Sequence, residues 1–230
     1  VGNPAFDNFL YGGILADAAG FYGKMFTGRA ESCIRAAKED FAAALARYRQ
    51  CGVELPTEAH EHTYPTGKSG YYAAACWGAS RLFAYTGEQA YADIAREFGS
   101  LLLACQETGD AGIGITGFFY REEEHRYAVH HNHQSREHLF MQALCALAET
   151  QPSHKEHPLW DAAIRLYAGY LKDIYAEAAP YGMIPAGIYH EDEGENEELF
   201  RRTNPGSDYE RERPNYRLQV RAGRPLGNGF

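Results

Sequence analysis

YYAAACWGASRLFAYTGEQAYADIAREFGSLLLAC, residues 71–105, contains both kinds of helix from which this chain is built, and the joint between them. Its first half, through Ala73-Ala74-Ala75-Cys76-Trp77, has almost no polar face. A helix that is apolar all round has to be covered on all sides. In its second half Tyr91, Ile94, Ala95, Phe98, Leu101, Leu102 and Cys105 recur at three- and four-residue steps, with Asp93, Arg96 and Glu97 opposite. That is one core-facing stripe and one wet face. Between the halves stands Thr86-Gly87, a joint too short for anything but an antiparallel helix pair.

Working outward, the same alternation appears twice more. Residues 6–26, 70–85 and 135–149 read as helices of the first kind. Residues 29–51, 88–106 and 156–178 read as helices of the second. The stripe of the first amphipathic helix is Ala30, Cys33, Ile34, Ala37, Phe41, Ala44, Leu45 and Tyr48. That of the third is Leu159, Ala162, Ala163, Leu166, Tyr170 and Ile174. Gly28 and Gly87 suit the left-handed residue that ends a helix, since they carry no Cβ. Glu31 and Glu88 suit a following first turn, and Pro158 a first-turn position that needs no amide proton. Asp17, a lone charge in an apolar helix, suits a capping or cross-helix hydrogen bond. The joints from the second kind back to the first are long. They cover residues 52–69, 107–134 and 179–230 and hold seven of the ten histidines. Each unit runs roughly 60 residues, longer than the tetratricopeptide or ankyrin repeat of about 33–34.

Together with FTGRAESCIRAAKEDF, YTGEQAYADIAREF and YGMIPAG, this alternation resembles the six-hairpin (α/α)6 toroid of many glycoside hydrolases and some polysaccharide lyases. The resemblance spans residues 6–190 at the level of architecture. It implies an all-α fold, a helical-hairpin toroid whose inner helices are ringed by outer ones, with long loops and short β-hairpins on one face. About three hairpins are visible where a full ring wants roughly six, so an incomplete barrel is expected, with a complete open solenoid as the alternative. Residues 1–190 are then the toroid domain. The arginine-rich residues 191–230 are either a cleft loop or strands that begin the remainder.

Composition narrows the partners. A formal charge of −9 argues against a nucleic-acid-binding surface. No apolar run is long enough to cross a membrane, and no basic amphipathic helix is of the surface-binding kind. All five cysteines fall in expected helices. Cys33 and Cys51 would stand about 27 Å apart on one helix and cannot pair. Buried reduced thiols, and so a cytoplasmic setting, are the expectation. A periplasmic or secreted location stays open, as does the oligomeric state.

The densest chemistry is His130-His131-Asn132-His133, followed by Arg136, directly before an apolar helix. Histidine titrates nearest neutrality and is suited to proton transfer. The resemblance to toroidal lyases implies a specific use for Asn132-His133. The asparagine would help neutralise a uronate carboxylate, and the histidine, or a tyrosine such as Tyr189, Tyr127 or Tyr64, would take the proton on C5. A His-bound divalent metal, drawing also on His60 and His62, is the alternative. No spacing here matches a zinc signature, so no cofactor is expected. Loop histidines that only bind hydroxyls are the plainer reading.

Carboxylates offer a second route. Hydrolysis needs two of them across the scissile bond, about 6.5–9.5 Å apart when inverting. Glu61, flanked by His60 and His62 and followed by Tyr64, and Asp110 in Glu107-Thr108-Gly109-Asp110 are the candidates. The acidic runs 122–124 and 191–198 read as solvated charge. Tyr64, Tyr120, Tyr127 and His190, with His130, His131 and Arg136, are candidate sugar contacts, because flat rings stack on sugars and polar tips bond hydroxyls. Phe118-Phe119-Tyr120 reads as a short hairpin over the cleft, and Trp77 as filler between helix layers. Arg201, Arg202, Arg211, Arg213, Arg217, Arg221 and Arg224 tilt the substrate toward acidic glycans. The expected function is cleavage of glycosidic bonds in an oligo- or polysaccharide, by hydrolysis first and β-elimination second. A non-enzymatic helical-repeat binding module is the alternative from another class.

Overall fold

The computed structural model describes residues 4–23, 25–54, 67–109, 115–126, 128–129, 138–177, 188–190, 218–221 and 224–228. The architecture is all-α. Six helices carry most of its regular structure: α1 (Pro4–Tyr22), α2 (Thr27–Cys51), α3 (Gly67–Thr86), α4 (Gln89–Leu103), α5 (His138–Thr150) and α6 (His157–Glu177). Three short strands follow, β1 (Ile188–His190), β2 (Leu218–Arg221) and β3 (Arg224–Asn228). β1 runs parallel to β2, and β2 antiparallel to β3, so two segments of the arginine-rich region pair with each other and one of them with the strand just before that region.

Contacts divide the chain into two compact units. One comprises Val1–Thr57, Gly70–Leu103 and His138–Asp161; the other comprises Glu58–Ser69, Ala104–Glu137 and Ala162–Phe230. The first holds α1, α2, α4, α5 and most of α3. Here the apolar helices do what their composition requires. Tyr71 to Cys76, Ala79 and Leu82 of α3 are buried on successive faces of the helix, and so are Leu139, Phe140, Ala143, Leu144, Ala146 and Leu147 of α5. The hydroxyl of Ser80, buried among them, donates to the Cys76 carbonyl at 2.8 Å, so it carries no open valence. At the centre Phe9 meets the rings of Phe41, Tyr71 and Phe98 edge-on, with centroids 5.0, 5.5 and 5.7 Å away. Such pairs add about 0.5–1.5 kcal/mol each beyond the area they bury. α1 and α3 approach closely because Gly78 has no side chain: a Cβ there would sit inside the van der Waals envelope of the Phe9 carbonyl oxygen. Gly13 in turn makes room for the Trp77 ring, which packs between helices as its position suggested. The wet face of α2 is tied by ion pairs to α4 and to the residue just ahead of it, Arg49 with Glu97 and Lys38 with Glu88.

Several details differ from the sequence reading. α1 is apolar all round but not covered all round: Tyr11, Ile14 and Phe21 lie exposed, Phe21 at 74%. Asp17 of that helix pairs with Arg81 of α3, the cross-helix role expected of it. Gly87 has φ 69°, and its amide donates to Phe83, as a helix-ending glycine does. Gly28 does not end a helix, because α1 already stops at Tyr22 and Gly28 belongs to the first turn of α2. Glu31 therefore falls beyond that turn, and Glu88 stands just ahead of α4, where its amide meets the Thr86 hydroxyl. The buried stripe of α6 is Trp160, Ala163, Tyr167, Tyr170 and Ile174, while Leu159 is 61% exposed. Trp160 lies in helical phase with that stripe, and His154 stacks on its ring at 5.4 Å. All five cysteines are free, yet Cys51 is exposed and Cys105 lies just past the end of α4, so the set is not uniformly buried or helical. No helix among the described residues is long and apolar enough to cross a membrane.

Candidate functional site

In the second unit the chain leaves α4 and forms a core without helix ladders. Backbone groups that are buried still need partners, and here the loop supplies them to itself. Tyr120 donates its amide to Cys105 at 2.7 Å, Glu107 donates to Phe118 at 2.9 Å, and Gly117 donates to Glu107 at 2.7 Å. On the other side Val129 donates to Phe119 at 2.8 Å, and Tyr120 and Ala128 form an antiparallel bridge. The expected hairpin around Phe118-Phe119-Tyr120 is thus present. Its three aromatic residues are buried, with Phe118 against Tyr170 and Phe119 against Tyr167, so they do not form an open stacking platform. Two features lock this loop onto α6. The buried Gln106 amide donates to the carbonyls of Gly117 and Ala163, both at 3.0 Å. Gly117 has φ 96°, and a Cβ there would collide with the Leu166 carbonyl, so a side chain is excluded twice over.

The loop also holds the start of α3. The first amides of a helix have no partner within it, and that of Ser69 finds the Arg121 carbonyl at 3.0 Å. Lys68 reaches Glu123 at 3.1 Å and Glu124 at 3.4 Å. Burial alone would lower the Lys68 ammonium. The hydrogen bond to Glu123 and the charges of Glu123 and Glu124 outweigh it and hold the group above the usual lysine range. So the exit of one long loop, at residues 67–69, and the body of the next, at 104–129, come together here.

At the centre is Glu107, 1% exposed. One carboxylate oxygen accepts the Gly109 amide at 2.6 Å, and the other accepts the Tyr120 hydroxyl at 2.7 Å. The Tyr120 ring is stacked on the imidazole of His125, with centroids 4.2 Å apart and planes 13° from parallel. His125 is itself exposed, and its Nε2 lies 2.8 Å from the Ala104 carbonyl. Cys105, beside this cluster, is pushed well above the ordinary thiol range by burial and then by the charge of Glu123, so its thiol stays protonated and is no nucleophile.

Of the residues singled out in the sequence, Tyr120 is in this cluster, with its hydroxyl committed to Glu107. Tyr189 and His190 stand in β1, in register with Gln219 and Val220 of β2. His60, Glu61, His62, Tyr64, Asp110, Tyr127, His130, His131, Asn132, His133 and Arg136 lie outside the described residues. Among the described residues no group of three or more His, Cys, Asp or Glu is placed to hold a metal ion. The cluster adds two residues that sequence reasoning passed over. Glu107 carried a usable signal, an acid two residues ahead of a glycine just past an amphipathic helix, where a side chain can close a turn on the backbone. His125 carried none, since its backbone angle cannot be read from Glu122-Glu123-Glu124-His125. No protein-family model, curated protein or solved structure matches this chain.

Proposed function

We propose that this chain belongs to a carbohydrate-active enzyme that cleaves glycosidic bonds of an oligo- or polysaccharide on an (α/α)-hairpin toroid. Hydrolysis is the first chemistry and β-elimination from a uronate-containing glycan the second. The observation that carries the reading is the bond from the Ser69 amide to the Arg121 carbonyl. It joins the exit of one such loop to the body of the next, both of which lead into apolar helices, as a cleft built from such loops requires. Binding and catalytic groups concentrate on loops positioned by a rigid scaffold, and these loops hold most of the chain's histidines. In hydrolysis Glu61 and Asp110 supply the acid and base. In elimination Asn132, His133 and Tyr189 take those parts, and the arginines of 201–224 meet an acidic substrate.

A glycan panel, read by reducing-end formation and by near-ultraviolet absorbance, tests this. Reducing ends without absorbance, lost in Glu61→Ala, support hydrolysis. Reducing ends with absorbance, lost in His133→Ala, replace it by elimination. A folded protein inert on every glycan removes the enzyme reading and favours a helical-repeat binding module.

A further inference from the structure

We infer that His125 is the solvent-facing proton acceptor of this loop cluster, with Tyr120 and Glu107 as positioning residues behind it. The inference rests on the glycan-cleaving reading above and names a residue that reading does not use.

Four observations carry it. First, a carbonyl oxygen can only accept, so the 2.8 Å approach of Nε2 to Ala104 puts the imidazole proton on Nε2. Neutral His125 then has its lone pair on Nδ1, and no described residue hydrogen-bonds that atom. Second, the residue is exposed, so that lone pair is open to a water or a substrate. Third, His125 has φ 56° and is the one non-glycine with positive φ among the described residues. Such backbone persists only where the surroundings over-determine it, and it clusters at functional sites. Here the determinants are visible: the His125 amide donates to the Glu122 carbonyl at 3.2 Å, and the ring lies flat on Tyr120. Fourth, Tyr120 cannot turn away, because its hydroxyl is held by a buried carboxylate whose other oxygen is held by a backbone amide. The charged groups around the imidazole are themselves paired, Glu122 with Arg126 and Glu123 and Glu124 with Lys68. Among the described residues of this cluster, the histidine is the one with an uncommitted ring nitrogen facing solvent.

In hydrolysis His125 takes the base's part in place of one of the two carboxylates named above: Nδ1 takes a proton from the attacking water as the new bond to the anomeric carbon forms. The glycosidic C–O bond breaks and its oxygen takes a proton from a carboxylic acid, Glu61 or Asp110. The imidazolium then returns its proton to solvent.

The test compares His125→Asn, which tolerates left-handed backbone, and His125→Gly, which is unstrained there, with wild type on the best substrate of the panel. Circular dichroism and thermal unfolding serve as fold controls. Both variants are expected to lose kcat by about 100-fold or more with KM nearly unchanged, and to lose the acidic limb of the pH–rate profile. Added imidazole is expected to restore part of the rate in His125→Gly. Tyr120→Phe keeps the stacked ring, loses the bond to Glu107 and is expected to show a smaller fall in kcat. Folded variants that keep kcat within about threefold of wild type, or keep the acidic limb, overturn the inference and leave the glycan reading intact. A wild type that cleaves no glycan overturns both.

Discussion

The two units keep their interiors dry in opposite ways. In the first, rings and small side chains on helices fill space around Phe9, the buried Ser80 hydroxyl is spent on its own helix, and the ion pairs Lys38–Glu88 and Arg49–Glu97 sit at the rim in water. In the second, Gln106, Glu107 and Arg121 are buried together with Phe118, Phe119 and Tyr120, and the loop between α4 and α5 is tied by bonds to polar side chains. Helices satisfy their own backbone, so their packing can be purely apolar. An irregular buried segment must import donors and acceptors, and the groups that hold it are then available for chemistry.

Substitutions can break this contrast. Phe9→Ala removes a fully buried ring with three aromatic neighbours, and a loss of about 3–5 kcal/mol is expected in denaturant unfolding. Glu107→Ala leaves the Tyr120 hydroxyl and the Gly109 amide without their acceptor, an expected loss of about 2–3 kcal/mol. If the second unit were held mainly by apolar contact, that loss would fall below about 1 kcal/mol and the contrast would fail. A subtler probe is Tyr71, whose buried hydroxyl has no hydrogen-bond partner among the described residues. Burial, then the charge of Glu54, pushes its phenol up to about 12. The folded chain keeps this proton where the unfolded chain, with a phenol near 10, gives it up. The contribution is therefore complete below about pH 10 and is lost as the pH rises toward about 12. Tyr71→Phe is expected to be neutral or slightly stabilising at pH 7 and to flatten that alkaline loss, measured as Tm against pH. The smallest effect belongs to the rim: a double-mutant cycle on Lys38 and Glu88 is expected to give under about 1 kcal/mol, falling with salt.

The helices were legible because their signal is periodic and local. The run Tyr71 to Leu82 could only be covered, and it is. Where the sequence misled, the missing fact was a contact or a boundary. α1 matches α3 in composition, yet composition cannot say whether a neighbour covers each face, and Phe21 is left exposed. Leu159 and Trp160 are both apolar and adjacent, and it is Trp160 that lies in phase with Ala163, Tyr167, Tyr170 and Ile174 and turns inward. The candidate site was less legible. A loop's run of histidines can be counted, but the pairing of Glu107 with Tyr120 across 13 residues depends on how residues 105–107 align with 117–120. No local pattern encodes that alignment.

The bond between Ser69 and Arg121 has a consequence for how the molecule opens. It makes the first turn of α3 and the loop after α4 parts of one cooperative element, although some fifty residues of chain separate them. In native-state hydrogen exchange the amides of Ser69, Glu107, Gly117, Tyr120 and Val129 will then open together, at one free energy, while amides on the far turns of α3 follow the slower exchange of the helical core.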